Sequence, residues 1–250
     1  MISQEQYIYA WEHNAKQHFV DGDYEWVCNQ ISHYKTVFEI GCGAGYSTLA
    51  LAIKKHNVLS IDINPIALQS TISILKNNHF DVELVTHTID FCHPNIWLWE
   101  CDVVSNWDTV AAIVNQLPIN LILLCNPGGN QDPELRKSEA TLLLKCGFSF
   151  SEINERYHEG NIPLLHKFSL IDAAASIAIK CDLPFLLIER GSNSQINEEF
   201  SQIEIDTNMR MVQQTKRRIR REPEGGIMLG NADGEMSEEL YWSAGLFFPR

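Results

Sequence analysis

The sequence predicts one doubly wound α/β domain over residues 1–250, with a mostly parallel sheet that ends in an antiparallel C-terminal hairpin. Three observations carry that prediction. Residues 37–40 and 58–61 are short apolar runs separated by a glycine turn and a helix-forming stretch, the order of a βαβ unit. Leu121–Cys125 is apolar at every position, as a parallel strand covered on both faces must be. Residues 203–211 and 240–248 alternate, which is the signature of half-buried strands.

Composition limits the partners. At 250 residues and 45% hydrophobic content the chain can bury a full core, and no break in composition divides it. A formal net charge of −13 repels a phosphate backbone, so a general nucleic-acid binder is disfavoured, with residues 216–221 as one local basic exception. The seven cysteines are odd in number, scattered and without a C-x-x-C pair, so they read as buried apolar residues in a reducing compartment. No apolar run reaches membrane-spanning length and the first residues lack the basic-then-apolar pattern of a secretory signal. The expected location is cytoplasmic, without membrane contact.

Ser3 and Gln6, at capping-box spacing, open an amphipathic helix that carries Tyr7, Trp11, Ala15 and Phe19 and breaks at Asp21-Gly22-Asp23. A second helix carries Tyr24, Val27, Cys28 and Ile31, which completes a helical segment over residues 1–35. The first strand then runs into Glu39-Ile40-Gly41-Cys42-Gly43-Ala44-Gly45. Glycine tolerates positive φ and lets a ligand approach the backbone, so three glycines between strand and helix point to a bound small molecule. The helix that opens near Tyr46 aims free N–H groups at any carboxylate over the turn. A dinucleotide fold wants G-x-G-x-x-G, and its third glycine would fall where Tyr46 stands.

The second strand ends on Asp62, 17 residues beyond Gly45. A carboxylate at that tip can accept hydrogen bonds from the two ribose hydroxyls of an adenosine. Asn64 and Pro65 cap and start the next helix, whose buried stripe is Leu68, Ile72 and Leu75. Two runs compete for the third strand: residues 82–85, leading to Asp90, and Ile96–Glu100, leading to Asp102. The second is preferred because a helix over 106–117 and the fourth strand then follow at ordinary loop lengths, and Asp90 is the reserve. His87, Cys92, His93 and Cys101 match no compact zinc spacing, so no metal is expected.

The fourth strand ends in Asn126-Pro127-Gly128-Gly129, and open parallel sheets bind ligands outside the carboxyl ends of such strands. Asn126 is the candidate for touching the substrate, against the competing reading of a plain turn at 127–129. Residues 130–167, with helices over 133–146 and around 152–158, hold more chain than a crossover needs and are expected to cover the substrate. Ser169 and Asp172 open an alanine-rich helix to about Lys180, and residues 184–188 form the fifth strand. Residues 190–199 are too short and polar for a full helix, so the hairpin follows directly. If its first strand runs on, Lys216, Arg218 and Arg220 line one face, read as a solvated edge rather than an anion site.

The pattern E-x-G-x-G-x-G from Glu39 to Gly45 resembles the first motif of the class I S-adenosylmethionine-dependent methyltransferases. The resemblance covers about residues 36–126 by motif and the rest by order of elements. It implies a Rossmann-like sheet and S-adenosyl-L-methionine as cofactor. On that resemblance Gly41, Cys42, Gly43 and Gly45 pass close to the methionine part, and Glu39 helps to hold its amino group. Asp62 takes the ribose with Ile63 beside it, Asp102 approaches the adenine amino group, and the Val103 N–H meets the ring. N-terminal helices in the family cover the cofactor or frame the substrate, and the terminal strand pair resembles its antiparallel hairpin. Asn126-Pro127 looks like the start of the N-P-P-aromatic motif of amino-group methyltransferases, but Gly128 and Gly129 replace the second proline and the aromatic.

The expected function is methyl transfer to a small molecule or a protein group. No catalytic residue is named, because the sulfonium already carries the reactive methyl and the protein mainly has to align donor and acceptor and exclude water. Two alternatives stand beside it: a regulatory protein that binds the cofactor without transfer, and an NAD(P)-dependent oxidoreductase. Nucleic acid is not favoured but would use residues 216–221.

Overall fold

The computed structural model describes residues 4–85, 89, 91, 95–126, 162–219 and 240–250. The chain begins with helices α1 (Gln4–Val20) and α2 (Asp23–Gln30), separated by Gly22 in the left-handed region at φ 76°. Strand β1 (Thr36–Ile40), helix α3 (Tyr46–Ile53), strand β2 (Asn57–Asp62) and helix α4 (Pro65–Asn77) follow in the expected βαβα order. Then come β3 (Glu83–Leu84), β4 (Ile96–Glu100), α5 (Val103–Val114) and β5 (Leu121–Cys125). The C-terminal part holds α6 (Ile162–Cys181), β6 (Phe185–Ser192), α7 (Asn193–Asp206), β7 (Met209–Arg218) and β8 (Leu240–Pro249).

The eight strands form one sheet in the order β3-β4-β2-β1-β5-β6-β8-β7. All pairings from β3 to β6 are parallel, and β8 runs antiparallel to both β6 and β7. From β1 the chain winds outward to β2 and then, after β4, returns to place β5 on the other side of β1. Open α/β sheets bind ligands at such a switch point, here outside the carboxyl ends of β1 and β5.

Alternation along β1 explains the two layers. Phe38 and Ile40 join the core under α5, α6 and α7, whereas Val37 joins the core under α2 and α3. Every residue of β1 is buried, as a central parallel strand requires. The cap on α4 forms as the sequence indicates, with Asn64 Oδ1 accepting from the Ile66 N–H at 3.0 Å and Pro65 in the first turn.

Three expectations need correction. Residues 193–206 are helical and the hairpin strand begins only at Met209, because Ile196, Phe200 and Ile203 form a buried stripe at helical spacing. Ile205, in phase with the alternation but not with the helix, is 74% exposed. Ser169 and Asp172 lie inside α6, which starts at Ile162. Helix α5 begins at Val103 rather than Asn106, since Asp102 caps it, and Asn106 marks a break in its φ/ψ. Both rival third strands exist, but β4 is the one beside β2, and β3 only extends the edge. Asp90, Pro127 to Gly129, residues 130–161 of the expected substrate cover and the glycine-rich hairpin loop lie outside the described residues. Among the described residues no helix is long and apolar enough to cross a membrane, and no group of three or more potential ligands could hold a metal.

Candidate functional site

The parallel register brings four strand ends level. Ile40 lies opposite Ile61 on β2 and Leu124 on β5, and Asp62 lies opposite Glu100 on β4. Backbone bonds extend the ladder past the strands, from Gly41 N–H to Ile61 O at 2.7 Å and from Cys101 N–H to Asp62 O at 3.0 Å. At strand spacing, the ends of β4, β2, β1 and β5 span roughly 14 Å. Asp102, Asp62, the glycine turn and Asn126 therefore share one edge in that order, with Ile63 and Val103 next to the two acids.

All three glycines have left-handed backbones, at φ 81° for Gly41, 51° for Gly43 and 86° for Gly45. They differ in surroundings. A Cβ built at Gly41 would have nothing within 4 Å, whereas one at Gly45 would lie 2.7 Å from the Thr71 Cα on α4. Gly41 faces open space, and Gly45 lets two elements touch.

Asp62 already organises this turn. Its Oδ2 accepts from the Gly43 N–H at 2.9 Å and from the Cys42 thiol at 3.7 Å, and its Oδ1 accepts from the Asn64 N–H at 2.9 Å. A carboxylate offers about four acceptor sites, so ribose hydroxyls could still bind. Burial first, and then the Asp62 charge, push the Cys42 thiol well above its usual value, so it stays a protonated donor.

Glu39 is wholly buried. Its Oε2 accepts from Thr48 Oγ1 at 2.5 Å and Ser60 Oγ at 2.7 Å, while Oε1 is buried with no hydrogen-bond partner. Ser60 is its register partner on β2. Burial raises the Glu39 carboxyl, against the lowering effect of the hydroxyls of Ser47, Thr48 and Ser60. The raised folded-state value means that the folded chain takes up this proton before the unfolded chain does. The ionised form therefore costs stability at neutral pH, and that cost disappears as the pH falls through the raised value. Glu39→Gln should accordingly lose ground to the wild type as the pH falls toward the ordinary carboxylate range, about 4 to 5. Thermal melts across pH check this, and a difference in Tm that stays constant would contradict it.

At the β4 end, Asp102 caps α5, its Oδ1 accepting from the Ser105 N–H at 3.1 Å. Val103 is the first residue of that helix, where N–H groups lack intrahelical acceptors. Burial, and then the charge of Asp102, push the neighbouring Cys101 thiol up to about 11. At the β5 end Asn126 is half-buried in the left-handed region at φ 49°, a conformation asparagine tolerates, with its N–H donating to Ile188 O at 2.8 Å. Sequence reading missed Thr48, Ser60 and Thr71. A hydroxyl inside an otherwise apolar strand was a legible signal for Ser60, but Thr71 meets the turn only through tertiary packing.

Two residues of the basic run are engaged within the molecule. Arg217 donates through its two terminal nitrogens to Gly22 O at 2.6 Å and Asp21 O at 2.7 Å, and its Nε lies 3.3 Å from Asp23 Oδ1. Lys216 donates to Asn193 and Asn197 on α7.

No protein-family model matches the chain, and no curated protein matches it. Solved structures do align with it. The RNA-methyltransferase candidate PH1948 from Pyrococcus horikoshii matches 91% of this chain over 80% of its own, at 9% identity and a TM-score of 0.49. SMU.776, a methyltransferase candidate complexed with SAH, matches 84% of this chain over 45% of its own, at 12% identity and a TM-score of 0.46. The methyltransferase domain of a bacterial Hen1 matches 93% of this chain over 98% of its own, at 10% identity and a TM-score of 0.46. On its own strand order and terminal antiparallel pair, the chain has a Rossmann-like, doubly wound α/β fold.

Proposed function

We propose that this chain binds S-adenosyl-L-methionine and transfers its methyl group to an acceptor at the Asn126 end of the sheet edge. The observation that carries the reading is Gly41, left-handed and open, between the buried Glu39 carboxylate and the Asp62 carboxylate. The orphaned Oε1 of Glu39 fits a cationic amino group, and Asp62 fits vicinal hydroxyls. When bound, the cofactor supplies a methyl already activated on a sulfonium. Glu39 and the turn would hold the amino-acid part, Asp62 with Ile63 the ribose, and Asp102 with Val103 the base. Asn126 would orient the acceptor, whose approach in line with the sulfur is the remaining requirement.

Nicotinamide dinucleotide fits less well, because Tyr46 starts α3 where a dinucleotide fold needs glycine. The acceptor is a small molecule or a protein group. Support comes from the net charge of −13, and from Arg217 and Lys216 being turned toward the protein's own groups.

Calorimetry with S-adenosylmethionine, S-adenosylhomocysteine and NAD tests the reading. Binding of the first two and not the third is expected, and the reverse would overturn it. Transfer itself needs an acceptor screen that follows formation of S-adenosylhomocysteine. Asp62→Ala should weaken binding by about 1 to 3 kcal/mol, the range for lost hydrogen bonds to a charged acceptor. It should also lower Tm, since Gly43 and Asn64 lose their acceptor. Unchanged affinity in the Asp62 variant would place the ribose elsewhere.

A further inference from the structure

We infer that Thr71, on α4, is a positioning residue for the glycine turn, an inference that rests on the cofactor reading above. Thr71 is fully buried although its side chain is polar. Its hydroxyl donates to Gly43 O at 3.4 Å, while the N–H of the same glycine donates to Asp62 at 2.9 Å. Gly43 is thus held at both of its backbone groups. The Thr71 Cα and Oγ1 also fill the space that a Cβ at Gly45 would take. One residue of α4 therefore touches the turn at residues 43 and 45.

The consequence is specific to conformation. The turn places three glycines at positive φ, and glycine's conformational freedom means that contacts from neighbouring elements help to fix its shape. Asp62 grips from the strand side and also faces the cofactor's ribose in the proposed complex. Thr71 grips from the helix side and needs no contact with the cofactor. Its hydroxyl sets the affinity by keeping the turn in its binding shape before any ligand arrives, as preorganisation does elsewhere. Its methyl serves packing.

Two variants separate these roles. Thr71→Val keeps shape and volume but loses the hydroxyl, and Thr71→Ser keeps the hydroxyl but loses the methyl. The expected result is crossed: Thr71→Val binds S-adenosylhomocysteine about tenfold more weakly with little change in Tm, while Thr71→Ser keeps the affinity within about twofold and melts lower. Amide hydrogen exchange without ligand gives an independent readout, with faster exchange over residues 41–46 in Thr71→Val and not in Thr71→Ser. If affinity and exchange simply follow Tm in both variants, or if Thr71→Val matches the wild type in both, Thr71 is a packing residue and the inference fails. If the wild-type protein binds no S-adenosylhomocysteine, the cofactor reading fails, and the exchange result still decides whether Thr71 holds the turn.

Discussion

Gly45→Ala is expected to cost the folded state about 2 to 4 kcal/mol, whereas Gly41→Ala is expected to leave a folded protein that has lost its cofactor. The two glycines share a motif and a backbone conformation, at φ 86° and 81°, so conformational strain of about 1 kcal/mol or more applies to both. The rest of the difference is contact. At Gly45 the new methyl would lie 2.7 Å from a backbone atom of α4, which cannot rotate away, so α3 and α4 must separate. At Gly41 the methyl would meet nothing within 4 Å and would occupy space that the proposed ligand needs. Thermal melts and calorimetry with S-adenosylhomocysteine check both halves, and a loss of more than tenfold in affinity is expected for Gly41→Ala. A Gly45→Ala variant that melts like the wild type would refute the contact between turn and helix. A Gly41→Ala variant with full affinity would show that the open space is not the cofactor's.

This contrast also marks what could be read from sequence. The need for glycine at residues 41, 43 and 45 is a local backbone requirement and leaves a local signature. The same holds for Asp62, fixed by its place at a strand tip, and for the Asn64-Pro65 cap. Glu39 was legible as a residue but not as a buried carboxylate, because its partners Thr48 and Ser60 come from α3 and β2. Loop lengths favoured residues 96–100 over 82–85 as the third strand, and it is this strand that lies beside β2. The helix over 193–206 is hidden in the sequence because residues 190–199 look too short and polar for one, and from Ile203 alternation and helical spacing overlap. Ile203 satisfies both patterns, and the sheet settles the matter by burying Ile196, Phe200 and Ile203 together.

Arg217→Gln is expected to destabilise the fold by about 2 to 3 kcal/mol, while Lys216→Gln changes stability by no more than about 0.5 kcal/mol. Both are neighbours in one basic run on β7, yet their surroundings differ. Arg217 closes the turn between α1 and α2, bonding to the carbonyls of Asp21 and Gly22 and approaching the buried Asp23 carboxylate, which also lies 2.9 Å from His18 Nδ1. Removing the guanidinium leaves Asp23, only 6% exposed, with less compensation for its burial, and breaking such a pair costs several kcal/mol. The partial exposure of Arg217 puts the expected cost at the lower end. Lys216 contacts two exposed asparagines on α7, so water can replace them. Urea denaturation of the single variants tests this, and equal effects would mean that Arg217 is no more than a surface charge. The outcome bears on the acceptor as well. A variant that neutralises the whole run would loosen the N-terminal helices, and any loss of polyanion binding could then come from the damaged fold. Changing Lys216 and Arg218 alone, in filter binding against duplex DNA and structured RNA at two salt concentrations, avoids that ambiguity. Weak binding by the wild type, unchanged in this variant, is the result that agrees with a net charge of −13. Submicromolar, salt-sensitive binding lost in the variant would instead assign the acceptor to nucleic acid.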